Sequence, residues 1–197
     1  MSEHYNKDKS RILCVIDALK FNTIFYTVYN LLFIILGVIT GDMKKVIFTS
    51  YFLVFYSYFM HIATHKIPIL NKLHMLHHTP GKNKGFFPEL LEFFVNLLVI
   101  GGGILIPLNM YVNSSKTIFN EYAIILYTLI YTSQHLIVYH FMKTPSHKTH
   151  HKCDKKMKSG GVRNYGPDAL DVLFGTKENL EKYEDMSPLI PIVIILL

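Results

Sequence analysis

Four long apolar runs separated by short polar stretches set the pattern of this chain. The first, Phe21–Thr40, carries no charge and would make a helix about 30 Å long, enough to cross a hydrocarbon core. The second, Val46–Met60, is also uncharged but short, so its helix is expected to run on through His61 and His65. The third covers Leu90–Val112, where Pro107 is expected to end or kink the helix near its far end. Within it Gly101–Gly103 suits close helix packing. The fourth covers Ile118–Tyr139. All four are rich in β-branched and aromatic residues, but strands are about 4–8 residues long and these runs are several times that. The pattern predicts an all-α membrane protein with about four transmembrane helices. A tail (1–20), a membrane domain (21–187) and a short apolar C-terminal stretch (188–197) follow from it. That last stretch is too short to span, so it is expected to lie in the interface or pack on the bundle.

Composition agrees. Half of the 197 residues are hydrophobic and 17% are charged, less than an ordinary soluble domain carries. Mean hydropathy is +0.26. With the N-terminus on one side, every basic residue except Lys44, Lys45 and Lys116 falls on that same side. The positive-inside rule makes it cytosolic, with both termini there. The net charge of +6 is explained by this asymmetry and by anionic headgroups, so nucleic acid is not an expected partner. Cys14 and Cys153 are too few for a disulfide framework, and no secretory signal peptide is evident. A sequon at Asn113 lies in a loop placed on the opposite, lumenal side.

The same topology sorts the histidines. His4 stands alone in the tail, and the other ten form the groups His61/His65, His74/His77/His78, His135/His140 and His147/His150/His151. All ten fall at the cytosolic ends of the second and fourth runs or just beyond. An i, i+4 pair leaves one face of a helix, and His-x-x-His-His puts three rings on one face. His135 and His140 are i, i+5, about 140° apart on a regular α-helix. A helix break, a π-bulge or separate metals would each accommodate them. Ten imidazoles crowded together are costly if charged, and divalent metal satisfies them directly. At about 2 Å per metal–nitrogen bond, ten ligands suffice for two metals with room for water or oxygen. An imidazole-only set suits Fe, Zn, Cu or Ni. A zinc pair would favour hydrolysis, with Glu89 or Glu92 as the acid/base group, and iron would favour oxygen activation. Asp154, Asp168 and Asp171 are the candidate carboxylates for orienting the rings.

These boxes, together with Asn164–Thr176 (NYGPDALDVLFGT), resemble the fatty acid hydroxylase/sterol desaturase superfamily over roughly residues 45–177. The resemblance implies a multi-span endoplasmic-reticulum enzyme with a cytosolic metal cap. Such an enzyme uses two non-haem metal ions (iron favoured, zinc second), O2 and electrons to hydroxylate or desaturate a lipid or sterol. Carried over, the ligands are His61, His65, His74, His77, His78, His135, His140, His147, His150 and His151. Leu170 stands where the family often has Trp, and the His135/His140 spacing is longer than in many relatives. His77–Pro80 and Phe86–Pro88 are similar to the fatty acid 2-hydroxylase branch, which points to an acyl chain. Electrons would come from a separate reductase and b-type cytochrome. A membrane metal transporter and an inactive family member are the competing readings; the former would place its ligands near the bilayer midplane.

Overall fold

The computed structural model describes residues 10–78, 86–111, 117–142, 144, 150, 163–180 and 182–196. At 75–78, 86, 88, 89 and 139–141 it describes the backbone alone. Among the described residues all regular structure is helical. Helix α1 (Arg11–Phe21) precedes α2 (Thr23–Thr40), which covers the first apolar run. Gly41, in the left-handed region at φ 69°, ends α2, and the Asp42 side chain accepts from the Lys45 N–H to start the next helix. Helix α3 (Met43–Lys66) then returns antiparallel to α2 and carries both His61 and His65, as the short second run required. It stops because Ile67, ahead of Pro68, is held extended. Pro68 then opens α4 (Pro68–His78), at a position where its missing N–H costs nothing.

The third run is not one straight helix. It forms α5 (Phe86–Phe94), a π-helical stretch Val95–Ile100, and α6 (Leu105–Tyr111), with a 41° bend between the two parts. The break falls at the glycines, not at Pro107, which sits in the first turn of α6 where proline is tolerated. Gly102 has φ 91°, and a Cβ there would lie 2.7 Å from a Leu53 methyl. These glycines therefore serve the turn and its close approach to α3. The freed carbonyls find partners: Tyr56 Oη donates to Val99 O (3.0 Å) and Thr128 Oγ1 to Gly101 O (2.9 Å). A broken helix whose carbonyls are buried needs such donors.

The fourth run forms α7 (Glu121–Ser133), followed without interruption by a π-helix, Gln134–Phe141. Short helix α8 (Asp168–Phe174) packs against α1. The C-terminal α9 (Ile190–Ile195) packs back on α2 and α7, so the last apolar stretch joins the bundle. Phe33, Val46, Leu53, Ile100, Ile124, Val138 and Leu189 fill the shared interior. Two helices, α2 and α3, are by themselves long and apolar enough to cross a membrane, and the bent pair makes a third span if counted as one.

Candidate metal centre

The C-terminal end of α3 places His61 and His65 one turn apart, with ring centroids 5.4 Å from each other. The turn through Ile67 and Pro68 folds α4 back, and Asn71 Nδ2 donates to His65 O (2.8 Å) to close it. That fold brings His74 within 3.1 Å of His65, Nε2 to Nε2. His150 arrives from a separate segment, its Nε2 also 3.1 Å from His65 Nε2. One nitrogen from each of His61, His65, His74 and His150 lies within 4.8 Å of all the others. His61, His74 and His150 are buried and His65 is partly so.

Hydrogen bonds fix two of these rings. His61 Nδ1 donates to Tyr165 O and His150 Nδ1 to Arg163 O, both at 2.8 Å. A carbonyl accepts only, so each Nδ1 carries the proton and each ring keeps its lone pair on Nε2, the tautomer a metal requires. The sequence pointed to carboxylates for this task, whereas main-chain carbonyls hold these two rings. Asp171 acts one bond further out. It accepts from Tyr165 N (2.9 Å), Gly166 N (2.7 Å) and Thr176 Oγ1 (2.6 Å), pinning the peptide whose carbonyl holds His61. Tyr58 Oη donates in turn to Thr176 Oγ1 (2.7 Å). Burial pushes the Asp171 carboxyl up to about 6, against the lowering effect of those donors and of Lys177. Asp168 forms a buried ion pair with Lys177 and accepts from Glu184 N, tying α8 to the C-terminal segment. Asp154 lies outside the described residues.

The donor set fits a metal. Three Nε2 atoms meet at His65, and His65 has at most one Nε2 proton to share between its two neighbours. A cation satisfies all three lone pairs at once. With metal–nitrogen bonds of about 2.1 Å, nitrogens 3.1 Å apart are close enough to share one ion. The four-residue group consists of imidazoles alone.

His135 stands beside this group, its ring 5.7 Å from His61 and 5.0 Å from Tyr131. It lies in the π-helix, the backbone form in which positions i and i+5 pair across a turn, so the irregular His135/His140 spacing matches an irregular helix. The side chains of His77, His78 and His140, and all of His147 and His151, lie outside the described residues.

A cavity of about 640 Å³ opens beside His135 and Tyr165 and runs between α1, α2, α3 and α7. Its walls are mostly apolar, with Phe25, Val54, Ile130 and Leu170 among them. Leu170 is part of the cavity wall. What the sequence could not reveal is the part played by Arg163 and Tyr165, because they act through main-chain oxygens.

A family model for fatty acid hydroxylase matches residues 46–176, well over half of the chain. The chain belongs to the fatty acid hydroxylase family. Searches of curated proteins and of solved structures give no match. Every histidine of the described cluster falls inside the family-matched stretch, and so does the Asn164–Thr176 loop that orients it. Helices α1 and α2 lie ahead of it.

Proposed function

We propose that this family member is a membrane-bound, O2-dependent lipid hydroxylase acting on a fatty acyl chain through a histidine-ligated di-iron centre. One observation carries the reading: a largely buried all-imidazole cluster packs against His135 and Tyr165, which line a large, mostly apolar cavity. A transporter would place its ligands along a path near the bilayer midplane. Here His61, His65 and His74 gather at the last turns of α3 and on α4, His150 joins them from a distant segment, and a mostly apolar cavity lies close by.

His61, His65, His74 and His150 would hold one metal ion, with His135 adjacent. His77, His78, His140, His147 and His151 are the remaining proposed ligands, which allows a second ion. With metal bound, the centre supplies activation of O2 for attack on an unactivated C–H bond, chemistry beyond the reach of acid/base side chains. The chain's own residues prepare the place for it. Tyr165 O and Arg163 O hold the protons on the Nδ1 atoms of His61 and His150. The apolar walls seat the acyl chain and exclude water, and Tyr131 packs on His135. Electrons are proposed to come from a reductase and b-type cytochrome at the endoplasmic-reticulum membrane. Both termini and the basic surface that would receive those partners are proposed to be cytosolic.

The test is conversion by purified protein carrying its metals, supplied with reductase, cytochrome and O2, on fatty acids, ceramides and sterols. A hydroxylated acyl product with metal retained is the expected result. An unsaturated product would reassign the reaction to desaturation, and no oxidised product from any lipid would overturn the reading.

A further inference from the structure

Ten or so of the residues lining the cavity belong to α1 and α2, ahead of residue 46 where the family match begins. We propose that this N-terminal pair of helices is the substrate-selecting wall of the cavity, and that Lys20 at its rim takes the carboxylate of a fatty acid. The proposal rests on the cavity being the lipid site.

Charge complementarity favours this occupant. Among the described lining residues Lys20 is the sole Lys, Arg, Asp or Glu. The rest of the wall is apolar or carries neutral polar tips. An anionic head on a single apolar chain matches such a surface; a neutral ester or amide head forgoes the one ionic contact it offers. Lys20 is exposed, in the last turn of α1, where a long side chain can follow a headgroup without leaving water.

The direction of the chain follows from the same lining. Helix α1 packs on α8, next to the Tyr165–Asp171 loop that holds His61, so Lys20 lies at the histidine end of the bundle. From there the lining descends α2 through Tyr26 to Asn30, and α3 from Ser57 to Tyr51. Tyr51 lies ten residues before His61, about 15 Å along the helix. Its hydroxyl donates to Asn30 Oδ1 (3.0 Å), tying the two helices at that far end. A fatty acid headed at Lys20 therefore passes its first carbons by His135 and Tyr165 and directs its tail toward the Asn30–Tyr51 bridge. Entry is sideways from the bilayer. Ile16 (39%), Leu19 (43%), Phe55 (43%) and Leu173 (44%) both line the cavity and stand exposed, an apolar rim that only lipid covers well.

Equilibrium binding decides it, using the full chain with its metals in nanodiscs, a fluorescent hexadecanoic acid analogue and its methyl ester. The acid is expected to bind roughly tenfold tighter than the ester, as befits a hydrogen bond to a charged group. Lys20→Gln is expected to bring the acid down to the ester's affinity, and Lys20→Arg to keep the preference, both with wild-type metal content. In the wall itself, Asn30→Leu is expected to change the preferred acyl length with metal content unchanged. Equal binding of acid and ester by wild type, or an equal loss of both in Lys20→Gln, overturns the proposal. So does a Lys20→Gln variant that partitions less onto anionic vesicles yet keeps the acid preference, since Lys20 would then serve bulk headgroups. Acid preference without oxidation of any lipid would count against the proposed function alone. Oxidation of neutral and acidic lipids alike, untouched by Lys20→Gln, would sink only this proposal.

Discussion

Asp171→Asn tests whether the loop after the last histidine box serves the metal more than the fold. The wild-type carboxylate takes three hydrogen bonds, yet burial still lifts it from 3.8 to about 6. At about 1.4 kcal/mol for each tenfold in proton affinity, keeping it ionised in the native state costs about 3 kcal/mol at neutral pH. Asn cannot ionise and avoids that cost. Its amide nitrogen, however, replaces one acceptor and confronts a backbone N–H, leaving a buried donor unmet at about 1–3 kcal/mol. The two effects nearly cancel, so the metal-free variant should unfold within about 2 kcal/mol of wild type. Metal affinity should not survive so well. The Tyr165 peptide loses a restraint, its carbonyl is the acceptor for His61, and weakening such an outer contact typically costs 10–100-fold. The pH dependence adds a sign. The native state binds the Asp171 proton more tightly than the unfolded chain does. Its contribution is therefore most favourable below about pH 4, falls as pH rises toward 6, and is constant above. Asn at this position lacks that slope. Thermal unfolding of metal-free protein in nanodiscs across pH, with metal competition titrations, measures both. An unchanged metal affinity, or a wild type that gains on the variant between pH 4 and 6, would refute the reasoning.

Other outcomes follow from single contacts. His150→Ala removes one of four converging nitrogens and should lower bound metal per chain well below stoichiometric, read by elemental analysis. Stripping metal by chelation should lower the thermal midpoint of wild type, because ligand present at a hundred times its Kd stabilises by about 2.7 kcal/mol; His150→Ala should show little further drop. Gly102→Ala forces a Cβ to 2.7 Å from Leu53 at φ 91° and should cost about 1–3 kcal/mol in the same unfolding assay. Tyr127→Phe removes the 2.5 Å contact with Ser57 but leaves Ser57 bonded to Val54 O, so a loss of only about 1 kcal/mol is expected. Glycosylation at Asn113 in cells would establish the proposed orientation, and a glycan acceptor that works only when moved to the N-terminal tail would reverse it.

Much of the fold was legible because hydrophobic period and length are local properties. Phe21–Thr40 and Val46–Met60 became α2 and α3 nearly as drawn, including the run of α3 through His61 and His65. The third run was misjudged at Pro107 because proline is tolerated in a first helical turn, and the sequence did not show that a new helix would start just ahead of it. The pairing of His61 with His65 was legible from i, i+4 spacing. Convergence with His74 required the Ile67–Pro68 turn, and His150 required the loop ahead of α8. The role of that loop was not legible at all. Its signature residues place two carbonyls, and carbonyls are common to every residue type. The cavity was hidden for a different reason: its wall is assembled from α1, α2, α3 and α7, far apart in the chain.

That the rings lean on the main chain has an evolutionary corollary. Any amino acid at position 163 supplies the same oxygen, so its exposed side chain is free to drift, while pressure moves to the Tyr165 ring packed on His61 and His150 and to whatever shapes the backbone around it. Asn164 at φ 58° and Gly166 at φ 66° are such points. Lineages of this family member should therefore keep the bend and change its decoration, and a catalogue of tolerated substitutions would trace the path of the chain more faithfully than the identity of the residues beside the histidine cluster.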